Sequence, residues 1–176
     1  AFARTLTLSD ANGTTAGAFT AHTIPANQFL AGSATASPVF TFTSPRTAPI
    51  SLALRASDGE VASTGFSEGL APVRSGRLHL PHAYGWELLP LTLGPVAQYW
   101  DGYNYATNTL DNCTVVPASS IAMGNFQKQL AACETQLTPS GNLAFSAGRP
   151  TGAGLTLTRP GLGNAGSVDL TIQTGQ

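Results

Sequence analysis

The sequence predicts an all-β protein built of antiparallel β-sandwiches. Two observations support this prediction. Turn-forming pairs such as Asp58-Gly59 and Asp101-Gly102 separate the candidate strands at intervals that suit antiparallel connections. Apolar and polar residues alternate with a period of two, as in strands with one buried face, at residues 5–8, 39–43, 50–54, 77–80, 155–158 and 168–172. Nothing between these runs has the pattern of a crossover helix, so a sandwich is favoured over an α/β fold.

Residues 121–132 allow two interpretations. Ile121, Phe126 and Leu130 would share one face of a helix, but Gly124 interrupts it and the flanking residues include no strong caps. An irregular strand with a bulge is the competing interpretation.

The chain is long enough for two small domains. About seven candidate strands precede Gly85 and about seven follow it, and each half has the size of an immunoglobulin-like sandwich. We therefore predict two immunoglobulin-like domains in tandem, residues 1–85 and 86–176. Pro90 and Pro95 should stiffen the passage between them.

Composition excludes several classes of function. Apolar residues make up 42% of the chain and charged residues 10%, against about 25% charged in a typical soluble protein. The net charge is −1, and the basic residues are scattered, so a nucleic-acid partner is not expected. No run approaches the roughly 20 apolar residues of a membrane helix, which argues against membrane insertion. The chain begins at Ala1 without Met or a signal peptide, which suggests a mature product or a fragment.

The two cysteines, Cys113 and Cys133, lack Cys-x-x-Cys spacing and a nearby histidine. A disulfide between them is the simplest prediction. It would close a loop of about 20 residues, be worth roughly 3 kcal/mol, and persist only in an oxidising compartment. Two buried free thiols are the alternative.

Several segments carry a resemblance to a known family. They are residues 54–59, 76–91 with Tyr84-Gly85-Trp86-Glu87-Leu88-Leu89-Pro90-Leu91, 97–102, 108–114 and 160–171, together with Cys133. In these segments the chain resembles the C-terminal region of MshQ-type proteins, which are encoded with the mannose-sensitive haemagglutinin pili of Gram-negative bacteria. It departs from the family pattern at His82 and Trp86. The resemblance implies a surface-exposed, pilus-linked domain of unassigned biochemical function, with no catalytic residues to carry over.

Aromatic residues form the main candidate for a binding site. Trp100, Tyr103, Asn104 and Tyr105 surround an Asp-Gly pair, which predicts a hairpin with aromatic side chains on both arms. Exposed aromatic rings beside Asn and Asp are suited to stacking on sugars. Packing of the same rings across the hairpin is the alternative. Trp86, in a predicted turn, is a second exposed candidate.

Other chemical motifs are weaker. Ser67 lies in a Gly-x-Ser-x-Gly string, but no helix follows it and no histidine comes later in the order that the motif requires. His79 and His82 would point to opposite faces of a strand, so they do not predict a metal site. The acidic turns at Asp10 and Asp58 could offer oxygen ligands to calcium, although ordinary turn chemistry explains them. We expect no enzyme, no cofactor and no bound metal.

These observations lead to three functional hypotheses. The first is a non-catalytic structural or adhesion module at the bacterial cell surface, with pilus or surface-protein components as partners. The second is a carbohydrate-binding adhesin. The third is a self-associating filament subunit, in which Phe2, Leu6 and Leu8 complete a neighbouring sheet by β-strand addition.

Overall fold

The computed structural model describes residues 4–64, 68–138, 141–152 and 154–173. It is all-β, with 45% of the described residues in strands or isolated bridges and with several antiparallel sheets. In the described residues there is no α-helix, and two short 3₁₀ turns at Ala26–Gln28 and Ala118–Ser120 are the helical pieces present. The predicted fold class is therefore confirmed.

The described residues form seventeen strands. In chain order they are β1 Leu6–Asp10, β2 Gly17–Thr20, β3 Thr23–Ile24, β4 Val39–Phe42, β5 Ile50–Ser57, β6 Gly69–Val73, β7 Gly76–His79, β8 Leu91–Leu93, β9 Val96–Trp100, β10 Tyr105–Thr107, β11 Val115–Val116, β12 Ile121–Lys128, β13 Leu137–Thr138, β14 Leu143–Ser146, β15 Arg149–Pro150, β16 Leu155–Leu157 and β17 Gly166–Ile172. Each of the six alternating runs in the sequence overlaps one of these strands.

The segment with two interpretations is a bulged strand, and its helical interpretation is wrong. In β12, Gly124 pairs with Asp169 and Gln127 pairs with Ser167, so the register shifts between these two pairs. Asn125, within the bulge, has a φ of 52°, a left-handed conformation that Asn tolerates better than most residues. The bulge lets the strand keep one partner, β17, along its length.

The chain divides into two compact units. Unit 1 comprises Ala1–Ser75 and Trp100–Tyr105, and unit 2 comprises Gly76–Tyr99 and Ala106–Gln176. The first division thus falls after Ser75, whereas the sequence suggested residue 85, and a short hairpin segment returns to unit 1. That the two units are immunoglobulin-like sandwiches remains a prediction.

Unit 1 contains a four-stranded sheet with the order β3-β1-β5-β6 and a two-stranded sheet of β2 and β4. Leu52, at 1% exposure, is the most deeply buried side chain of the larger sheet. In the smaller sheet, Phe40 meets Phe19 and Phe42 edge-to-face with ring centroids 5.2 Å apart. Such pairs stabilise a narrow sheet beyond their buried area.

Unit 2 has its own hydrophobic core, which several short antiparallel sheets surround. Leu155 in β16 is 1% exposed and Phe145 in β14 is 3% exposed. The other buried members are Leu93, Ala97, Val116, Ile121, Leu143 and Leu157. Leu170 of β17 and Leu80 pack against this core while remaining partly exposed, so the core is less well covered on their side.

Candidate functional site

The predicted aromatic hairpin is present between β9 and β10. The backbone N–H of Asp101 donates to the Asn104 carbonyl oxygen at 3.0 Å, which closes the turn. Asp101 Oδ1 accepts hydrogen bonds from the backbone N–H groups of Asn104 and Tyr103 at 2.7 and 2.8 Å. These hydrogen bonds hold the pKa of Asp101 below its ordinary value. The side chain of Asp101 therefore organises the turn.

The four predicted binding residues of the hairpin divide into two pairs. The rings of Trp100 and Tyr105 meet edge-to-face with centroids 5.1 Å apart, and the Arg46 guanidinium lies 5.4 Å from the Trp100 ring centroid. Both rings are half-buried, so they serve packing within unit 1. Tyr103, at 85% exposure, and Asn104, which is also exposed, stand at the turn and are free to meet a ligand.

Trp86, the fifth predicted residue, lies in unit 2 on the segment of residues 80–90, which we call the aromatic segment. Trp86 is 80% exposed and Tyr84 is 92% exposed. The segment borders a groove of about 940 Å³ that lies entirely within unit 2. The groove is also lined by Leu91 and Leu93, by residues 128–130 at the end of β12, and by residues 164–171, which include most of β17.

The aromatic segment is fastened to a turn at residues 160–164. Glu87 makes both connections: its backbone oxygen accepts the N–H of Gly161 at 3.0 Å, and its Oε1 accepts the N–H of Gly163 at 3.0 Å. Gly161 and Gly163 have φ values of 101° and 86°, which suit glycine, and they aim the two amides at Glu87. The segment that presents Tyr84 and Trp86 is thus held in place by hydrogen bonds.

The groove brings together two parts of the sequence that carried the resemblance, residues 76–91 and 160–171. Its polar lining includes Lys128, Gln129 and Asn164. Asp169, also in the lining, accepts a hydrogen bond from Asn125 Nδ2 at 2.8 Å. Sequence reasoning found Trp86 but missed Tyr84 and the groove. The order Tyr84-Gly85-Trp86 could have indicated that Tyr84 is exposed, since a glycine between two aromatic residues disfavours a strand that buries both rings.

The predicted disulfide is not formed, and this corrects the sequence prediction. Cys113 and Cys133 are exposed free thiols. Each lies in its own local turn: the Cys113 N–H and Sγ lie 3.2 and 3.8 Å from Asp111 Oδ1. Cys133 has a φ of 76° in a loop where Glu134 Oε2 accepts the Ala131 N–H at 2.6 Å. The cysteines therefore no longer support the prediction of an oxidising compartment.

The remaining candidate residues take part in hydrogen bonds of the fold, form no metal-binding group, or lie outside the described residues. Asp10 Oδ2 accepts the Thr14 N–H at 2.9 Å and Asp58 Oδ1 accepts the Val61 N–H at 2.8 Å, as expected for turn residues. Asp10 Oδ1 also accepts the Ala53 N–H of β5 at 2.8 Å. Ser67 lies outside the described residues. His79 ends β7 and His82 is exposed on the aromatic segment. Across the described ranges, no three His, Cys, Asp or Glu side chains form a group that could hold a metal.

The residues predicted for strand exchange lie at the N-terminus of unit 1. Leu6 and Leu8 belong to β1, which pairs with β3 on one side and β5 on the other. Phe2 lies outside the described residues. Exchange of β1 between chains would therefore require it to leave two partners within its own sheet.

Fold and site together define an all-β, sandwich-like module with an exposed aromatic groove in unit 2. The chain belongs to the DUF6701 family, an uncharacterised family whose fourth-domain model matches residues 74–176. That match covers unit 2 and, along the chain, the hairpin residues 100–105. No curated protein and no solved structure matches the chain. In the part of the chain that the structure describes, no helix is long and apolar enough to cross a membrane.

Proposed function

We propose that this chain is a non-catalytic structural or adhesion module of a pilus-associated surface protein, exported by a Gram-negative bacterium. The observation that carries the proposal is the aromatic segment, where Tyr84 and Trp86 are 92% and 80% exposed. Exposed large aromatic side chains are costly to leave in water, and Tyr and Trp are enriched where proteins make contacts.

The anchoring of the segment supports a binding role. The two hydrogen bonds to Glu87, together with the bond from the Leu89 N–H to the Trp86 carbonyl oxygen at 3.0 Å, hold the backbone of residues 86–89 before any partner arrives. Binding then needs little additional ordering of the backbone, and this lowers the entropic cost of association. Leu89 and Leu162, exposed by 61% and 82%, belong to this segment and to the turn that holds it, and they extend the apolar surface available to a partner.

The resemblance to MshQ-type proteins supports the location and the partners. It is most specific over residues 84–91, which comprise most of the aromatic segment and the first residue of β8. The same family supplies no catalytic residues. Asp101 and Asp111 support a non-catalytic role, because the carboxylate of each accepts backbone N–H groups of its own loop, and Asp111 also accepts the Thr114 hydroxyl.

A test in the native bacterium can measure separately whether the protein is exposed on the cell surface and whether the aromatic segment binds a partner. Cells would carry the wild-type protein, a Tyr84→Ser/Trp86→Ser variant, or the control Leu30→Ser, which removes an 82% exposed leucine of unit 1. We expect antibody labelling of intact cells for all three, with adherence or pilus association reduced in the double variant alone. Protein confined to the cytoplasm, or a double variant that adheres like the wild type, would contradict the proposal.

A carbohydrate-binding adhesin is the second candidate, and the hairpin turn favours it. Tyr103 and Asn104 place an exposed ring beside an exposed amide, and a sugar could stack on the first and bond to the second. A glycan array should then show binding that disappears in Tyr103→Ala and survives in Trp86→Ala. Loss in Trp86→Ala alone would move the sugar site to the groove, and an array without signal would remove this candidate.

A further inference from the structure

Strand β17 is paired along one edge. Its partner is β12, and no other strand of the described ranges joins the pair. The N–H of Gln173 donates to the Ser120 carbonyl oxygen at 2.8 Å, and the N–H of Gln129 donates to the Ala165 carbonyl oxygen at 3.2 Å. In an antiparallel ladder, alternate residues bond to the same neighbour. The odd-numbered residues of β17 therefore bond to β12.

It follows that Val168, Leu170 and Ile172 direct their backbone N–H and C=O groups away from β12. Among the described residues, none outside β12 pairs with these groups through the backbone, and such an open edge forms a template for another strand. Consecutive residues from Gly166 to Thr171 line the groove, as expected if the groove runs along the edge of the strand and not over one of its faces. The open edge of β17 thus borders the groove.

Part of the lining of the groove is apolar and incompletely covered. The side chains of Val168, Leu170, Leu80 and Leu91 line the groove and pack against the core of unit 2 but remain partly exposed. A strand added beside β17 would place alternate side chains over these four residues. Burying them would be favourable by about 25 cal/mol for each Å² of apolar surface removed from water.

We propose that the groove accepts an extended strand of a partner protein, which pairs antiparallel with the open edge of β17 and carries apolar side chains at alternate positions. This inference rests on the proposed function and names the kind of partner involved. The edge offers donors and acceptors with a two-residue period, and an extended peptide backbone has the same period. The seven residues of β17 can pair with a segment of similar length, roughly 23 Å at about 3.3 Å per residue.

The test uses a synthetic peptide, acetyl-Thr-Leu-Thr-Leu-Thr-Leu-Thr-amide, added to the ¹⁵N-labelled full chain. In the proposed pairing the leucines face the core, and their N–H groups bond to β17, since opposed residues of an antiparallel pair share a face. We expect saturable shifts and slowed hydrogen exchange at the amides of Val168, Leu170 and Ile172. The edge strand β6 of unit 1 should be unaffected.

Two methylated peptides serve as matched controls. N-methylation of the three leucines removes the N–H groups that face β17 and should weaken binding by at least about tenfold. N-methylation of the threonines leaves those groups intact and should change binding by no more than about twofold. Equal binding of both methylated peptides would overturn strand pairing.

A pair of variants in β17 tests the contribution of this chain to the strand pairing. Val168→Pro removes an N–H that faces the groove and leaves the bonds to β12, whereas Val168→Thr keeps the N–H and the shape. Peptide binding should be lost in the first and kept in the second. If Val168→Pro fails to fold, the methylated peptides decide the question alone.

Other occupants give distinct results. Protection of the three amides in the dilute free chain would mean that the edge is already occupied, and this would overturn the proposal. A dimer of the chain that the peptide dissociates would identify a second copy as the occupant and overturn the assignment to another protein. Failure of peptide binding in a chain that is surface-exposed and adhesive would refute the strand site and leave the proposed function standing.

Discussion

Asp111 should be the most important single carboxylate for the stability of unit 2. It is 8% exposed, and its Oδ1 accepts backbone N–H groups from Thr114 at 2.9 Å and Cys113 at 3.2 Å. Its Oδ2 accepts the Thr114 hydroxyl at 2.6 Å. The backbone of Asp111 is also engaged, since its carbonyl oxygen accepts the N–H of Gly148 at 3.0 Å. One side chain therefore shapes the loop that leads into β11.

The substitution Asp111→Ala removes three hydrogen bonds from N–H and O–H donors to an ionised acceptor, each of which is typically worth about 1.5–3 kcal/mol, and a weaker one from Cys113 Sγ at 3.8 Å. Cys113 is exposed and Thr114 half-buried, so water can recover part of this loss. We expect a decrease of about 3 kcal/mol in the free energy of unfolding, a large part of the stability of an ordinary domain.

Urea denaturation followed by circular dichroism measures the effect, with Asp111→Asn as the control. Asparagine keeps an oxygen for the two backbone N–H groups, and its amide can donate to the Thr114 hydroxyl oxygen, so the cost should be near 1 kcal/mol. Equal losses in both variants, or a loss below about 1 kcal/mol in Asp111→Ala, would refute this account of the loop.

Three further predictions follow from the same structure. Acid should destabilise the chain: burial of Asp111 opposes ionisation, but the hydrogen bonds from Thr114 and Cys113 outweigh it and lower the pKa below the ordinary 3.8. Stability from this group is present above about pH 4 and is lost as the pH falls through the lower folded pKa, which acid titration monitored by tryptophan fluorescence would detect. Gly166→Ala should destabilise by about 2 kcal/mol or more in thermal melts, because the new methyl group would overlap the Gln127 carbonyl oxygen, whereas Gly124→Ala meets nothing and should be nearly neutral. Glu87→Ala should speed hydrogen exchange at Gly163 by about fivefold, since a bond of about 1 kcal/mol is lost, and unchanged exchange would show that the aromatic segment is held by other means.

The strands could be predicted where apolar and polar residues alternate, because this alternation reflects a strand with one buried face. Residues 168–172 alternate in the sequence and in the structure, where Val168 and Leu170 are partly buried and Asp169 is exposed. The short strands β8, β11, β13 and β15 carry too few residues for a period to show, and they exist because their partners align them. Gly124 gave the correct warning against a helix.

The site was harder to predict because its parts are distant along the chain. Glu87 bonds to Gly163 across 76 positions, and nothing local in the sequence signals that contact. The aromatic hairpin was found from its turn chemistry. Which of its rings pack depends on distant residues, because Arg46 lies over Trp100 and Pro45 accepts the Tyr105 hydroxyl. The disulfide failed as a prediction because spacing alone cannot say whether two cysteines share a loop or occupy separate turns.

The assignment of Trp100–Tyr105 to unit 1 has a consequence for synthesis on the ribosome. At about 5–20 residues per second, the first 75 residues leave the ribosome about 1 to 6 seconds before this hairpin does. Tyr105 donates from its hydroxyl to the Pro45 carbonyl oxygen at 3.3 Å, so this bond must wait until residue 105 has emerged. Unit 1 therefore completes its folding late, after the first strands of unit 2 have already been translated. A chain cut after Ser75 would lack the hairpin segment Trp100–Tyr105 that belongs to unit 1.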